Sequence, residues 1–114
     1  MIAVTLLDFL KEDLDMDVYL EQPTNVTDYI LIDQTGSSQT NHITTTTLAI
    51  QSYAPSLYEA MVLNDRVKGA MERFAQLNEV ARVELETDYN FTNTAAKQYR
   101  YQAVFNITHY QEAN

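Results

Sequence analysis

A chain of 114 residues is the size of one hydrophobic core, in which about two-thirds of the unfolded surface becomes buried. Its hydrophobic share of 46% and charged share of 20% are ordinary for a globular protein and exclude the apolar-poor signature of disorder. Sixteen Asp and Glu against seven Lys and Arg give a net charge of -9, which repels phosphate backbones, and the lack of Cys removes disulfides, thiolate metal sites and thiol nucleophiles together.

The expectation is a single domain over residues 1–114. No basic stretch precedes an apolar run at the N-terminus, and no window approaches the roughly 18 apolar residues of a membrane span, so the chain reads as soluble, with no membrane partner. Asn25, Asn90 and Asn106 open N-x-Thr triplets, which carry no meaning without secretion.

Ala3, Leu6, Leu7, Leu10 and Leu14 recur at helical spacing and predict an amphipathic helix over residues 2–14. Asp13, Asp15 and Asp17 crowd its end, where the helix dipole is negative and continuation is disfavoured. Val18-Tyr19-Leu20 then forms a short strand closed by Pro23. Tyr29-Ile30-Leu31-Ile32 forms a second, whose unbroken apolar run predicts burial on both faces. From Thr35 to Asn41 the chain is polar and without apolar anchors, which predicts a mobile loop. The β-branched run from Ile43 to Tyr53 is a third strand.

Ser56-Leu57-Tyr58-Glu59 has the form of a capping box. It opens a helix over 56–77 whose stripe is Leu63, Val67, Ala70, Phe74 and Leu77. Two alternating segments follow, separated by a polar turn near 92–96. In the first, Val83, Leu85, Thr87 and Tyr89 share one face and Arg82, Glu84, Glu86 and Asp88 the other. In the second, Tyr99, Tyr101, Ala103, Phe105 and Ile107 share a face. The fold class is α+β, in the order α-β-β-β-α-β-β: a mostly antiparallel sheet of four to five strands with two helices packed on one face.

A search for chemistry finds little. Gly36 and Gly69 are the only glycines, so no phosphate-cradling loop can be written. His42 and His109 stand without a second ligand at metal spacing, and an edge position accounts for His109. Glu12, Asp13, Asp15 and Asp17 lack the Gly and closing Glu of a calcium loop and read as a solvated turn. Glu84, Glu86 and Asp88 follow one another on one strand face about 7 Å apart, a spacing compatible with acid–base work. Nothing else supplies a cleft or a nucleophile, so the expectation is no enzyme, no cofactor and no metal. Repeated around a ring, those three carboxylates would instead line a channel with negative potential, letting DNA pass without specific binding.

The succession of the Ile2-to-Leu14 helix, Val18-Tyr19-Leu20-Glu21-Gln22-Pro23, Tyr29-Ile30-Leu31-Ile32-Asp33-Gln34-Thr35-Gly36 and Leu48-Ala49-Ile50-Gln51-Ser52-Tyr53-Ala54 leading into Ser56-Leu57-Tyr58-Glu59-Ala60 resembles the tail terminator and minor capsid proteins of long-tailed bacteriophages. That resemblance implies a virion protein assembled in the host cytoplasm, at the head–tail interface. It would form a homo-oligomeric ring, usually hexameric, that stops tube polymerisation and contacts the tail tube protein and head–tail connector proteins. It further implies that the segment at Gly36, Ser37, Ser38 and Gln39 orders on assembly. The Thr-rich strand from Ile43 departs from the pattern. A head-completion or other connector protein is the neighbouring alternative, and an acidic adaptor or inhibitor, or a small hydrolase using Glu84 or Glu86, the alternatives of another class.

Overall fold

The computed structural model of the protein describes residues 1–110. Helix α1 (Ile2–Leu14) leads to strands β1 (Val18–Tyr19), β2 (Tyr29–Thr40) and β3 (Ile43–Ala54), then helix α2 (Leu57–Phe74) and strands β4 (Val80–Asn90) and β5 (Tyr99–Tyr110). They form an α+β fold with one five-stranded mixed sheet in the order β1-β2-β3-β5-β4. Only β1 runs parallel to its neighbour, through Val18 opposite Ile30 and Tyr19 opposite Leu31. The last strand is inserted between β3 and β4.

The apolar stripe of α1 buries Ile2, Ala3, Leu6, Leu10 and Leu14, and the helix ends at Asp15 in the left-handed conformation, φ 52°. Arg66 of α2 donates to the Leu14 carbonyl at 2.8 Å, satisfying one of the orphan acceptors of the helix end. Arg73 grips Asp13 at 2.7 Å, so one member of the acidic turn ties the two helices together. Phe9 meets Phe74 edge to face at 5.3 Å between centroids. The cap of α2 forms as its sequence predicts: the Ser56 hydroxyl accepts from the Glu59 amide at 3.2 Å and donates to the Glu59 carboxylate at 3.0 Å.

Both helices lie on one face of the sheet, where Ile30, Ile32, Leu48, Ile50, Ala103, Phe105 and Ile107 join their stripes in one core. On the other face a smaller cluster gathers Tyr29, Leu31 and Tyr53 with Tyr19 and Val26. The apolar run Tyr29–Ile32 is therefore buried on both sides, as its composition requires.

The predicted mobile loop at 35–41 is a correction. β2 continues as strand through Gly36, Ser37, Ser38 and Gln39 to Thr40, pairing Gly36 with Thr47 and Thr40 with Ile43. The chain reverses in two residues, Asn41 and His42, at φ 52° and 66°, the handedness a tight hairpin turn needs. The segment has no buried side chain of its own. It is strand because its partner β3 is held from the other side by β5 along its whole length.

Candidate functional site: the bare face of the sheet and the acids beside it

The row of three acids is broken by a bulge. Along β4, Glu84 pairs with Asn106 and Leu85 with Phe105, but the next pairs are Thr87 with Val104 and Asp88 with Ala103, leaving Glu86 as an extra residue. An extra residue inverts the alternation of everything after it. Glu84 and Glu86 stay on the face away from the helices, where the Asn106 amide donates to Glu86 at 3.3 Å and Arg82 pairs with Glu84 at 2.8 Å. Asp88 turns to the helix side, joining the face of Leu85 and Val83, while Thr87 and Tyr89 take the outer side. The predicted grouping of Glu84, Glu86 and Asp88 on one face is thus overturned.

On the helix side Asp88 meets two residues of α2. The Asn64 amide and the Lys68 ammonium each donate to its carboxylate at 2.9 Å. The Lys68 hydrogen bond, more than the Asn64 one, holds the Asp88 carboxyl below its ordinary range, and Asp88 in turn raises Lys68. Asn64 is almost wholly buried, with its side-chain carbonyl unpaired among the described residues.

The bare face carries a polar lattice running across the strands. Thr45 and Thr108 hydroxyls lie 3.3 Å apart, and Thr47 donates to Asn106 at 2.7 Å. Tyr53 donates to Gln51 at 2.7 Å, Gln51 to Gln102 at 2.9 Å, and Gln102 to the Tyr89 hydroxyl. At the same end Tyr29 stacks on Tyr53 at 4.3 Å and takes a hydrogen bond from Gln22. Burial, chiefly, and the neighbouring Tyr53 push the Tyr29 phenol up to about 12. Arg100 donates to the Tyr53 hydroxyl at 3.0 Å and to the Phe91 carbonyl at 2.6 Å, with its guanidinium 4.3 Å from the Phe91 ring centroid.

This lattice was readable only in part. The period of two in Thr45, Thr47 and Gln51, matched by Gln102, Asn106 and Thr108, is a signal of one solvated face. The pairings themselves depend on β5 lying beside β3, a neighbour relation between segments some 60 residues apart.

His109 is not an edge residue: it lies in β5, an interior strand, mostly buried, with its Nε2 2.9 Å from the Thr46 hydroxyl. Among the described residues no three His, Asp or Glu side chains are grouped as a metal site requires, and no helix is long and apolar enough to cross a membrane. A scan against models of known protein families finds no match to this chain, and no curated protein matches it.

Proposed function

We propose that this protein is a structural subunit of a tail-terminator ring at the head-proximal end of a phage tail tube, stopping tube growth and offering the surface to which head–tail connectors attach. The observation that carries the reading is the character of the bare sheet face. Beyond the Tyr29, Leu31 and Tyr53 cluster and the small apolar pair Ala49 and Val104, its uncharged strand side chains are mostly hydroxyls and amides, joined by the acids Asp33, Glu84 and Glu86. The two cations among its described strand residues are both engaged, Arg82 by Glu84 and Arg100 by Tyr53 and Phe91. A face of that kind, turned to a lumen, repels phosphate and offers it no donor cluster. Asp88 takes no part in such a lining.

Gly36, Ser37 and Ser38 keep a place in this reading as strand, not loop. β1 covers β2 only at Ile30 and Leu31, so the backbone edge beyond is a surface a neighbouring chain can extend. Light scattering of the protein alone and with tail tube protein tests the reading: a closed oligomer is expected, and monomers only, at high concentration in both mixtures, would overturn it. Glu84→Gln with Glu86→Gln leaves that oligomer intact while raising DNA retention; loss of assembly would remove those acids from the lumen.

A further inference from the structure

The two sides of the sheet end in open strand edges that differ in charge. β1 pairs with β2 only at Ile30 and Leu31, so over residues 33–40 no described strand lies on the outer side of β2. Every residue of 33–40 is exposed, whichever face of the sheet it belongs to. Between Asp33 and Glu59 the sequence holds no Asp, Glu, Lys or Arg, in a chain with sixteen acidic and seven basic residues. The 34–40 edge therefore has none of the charges or prolines that keep strand edges from pairing. At the other end of the sheet no described strand covers β4, which carries Arg82, Glu84, Glu86 and Asp88 and two irregularities of register.

We propose, resting on the ring reading above, that the 34–40 edge of β2 pairs in antiparallel sense with β4 of a second copy of this chain, joining the sheets of neighbouring copies into one. Three observations select that occupant. The first is net charge: copies of charge -9 repel, and their approach costs least where one side contributes no charge at all. The second is what lies across the join. β4 against β4 would bring together the Glu84 and Glu86 carboxylates of both copies, whereas the 34–40 edge sets no charge opposite them. The third is direction. β2 and β3, β3 and β5, and β5 and β4 are each antiparallel, so the two edge strands run opposite ways. Rotation about a ring axis preserves each strand's sense along that axis, so β4 of one copy meets β2 of the next antiparallel, with the bare faces on the same side. Each copy then uses both of its edges in a head-to-tail contact that propagates until rotation closes it, whereas β2 against β2 would leave β4 open on every copy.

The absence of Cys makes the test direct. Ser38 stands opposite Thr45, and Arg82, Glu84 and Thr87 stand opposite Thr108, Asn106 and Val104, so all four belong to the bare face. Ser38→Cys is mixed in turn with Arg82→Cys, Glu84→Cys and Thr87→Cys under mild oxidation. One mixture is expected to give a disulfide-linked dimer in far higher yield than the others, and replacing Ser38→Cys by Thr40→Cys is expected to move the best partner toward the start of β4, as antiparallel pairing requires. A dimer from Ser38→Cys alone, a best partner that moves the other way, or no disulfide in any mixture overturns the contact. Light scattering of the unsubstituted protein separates the two levels: oligomers without disulfide sink this pairing and spare the ring, whereas monomers sink both. Ser37→Lys, judged folded by circular dichroism, is expected to raise the concentration for half-assembly at least about tenfold, although it brings the chain nearer to neutrality; an unchanged or lowered value counts against the edge.

Discussion

Asp88 receives Lys68 and Asn64 at 2.9 Å each from a strand position that strict alternation assigns to the other side. Its carboxyl is held below the ordinary value of about 3.9, so its contribution is present above that pH and is lost as pH falls through the depressed value. Lys68 is raised, so its share is present below about pH 10.4 and lost as pH rises past it. Asp88→Asn is expected to cost about 1 kcal/mol at neutral pH, a fall of roughly 4–8 °C in Tm, since both groups keep partial water contact and the pair is screened. Calorimetry at pH 7 and at pH 3 checks this: the gap between the two proteins should narrow at the lower pH, and a gap of unchanged size would assign the loss to packing. The pairing was invisible in the sequence. A bulge leaves no mark when the inserted residue, here Glu86, is as polar as its neighbours.

The elements were legible in proportion to how locally they are determined. Helix α2 announces its start through Ser56 and Glu59, and α1 its length through one apolar stripe, because each satisfies its own backbone hydrogen bonds. Ser56→Ala should therefore lower stability by about 1 kcal/mol without changing the sheet, read as a lower urea midpoint with an unchanged slope; a changed slope would mean that the cap holds more than the helix end. The second half of β2 lies at the other extreme. Residues 35–40 have the composition of a loop, and only the neighbours supplied by β3 make them strand. Composition reports what a segment buries, and this one buries nothing.

At the scale of the molecule, the sheet and its helices occupy 45 × 24 × 23 Å and carry nine net negative charges. Copies of such a body repel one another. Added sodium chloride should thus lower the concentration needed for assembly by screening, measurable by sedimentation velocity across a salt series; weaker assembly with salt would mean that ion pairs dominate the interface. The strand order has a temporal consequence as well. β3 is hydrogen-bonded on one side to β2, which precedes it, and on the other to β5, with Thr46 and His109 joined across 63 positions. A ribosome delivers β2, β3, α2 and β4 before the strand that unites them. Until then the nascent chain holds one piece of sheet, β1-β2-β3, with an open ladder edge at β3, and a fourth strand without a partner, across a gap that β5 alone can fill.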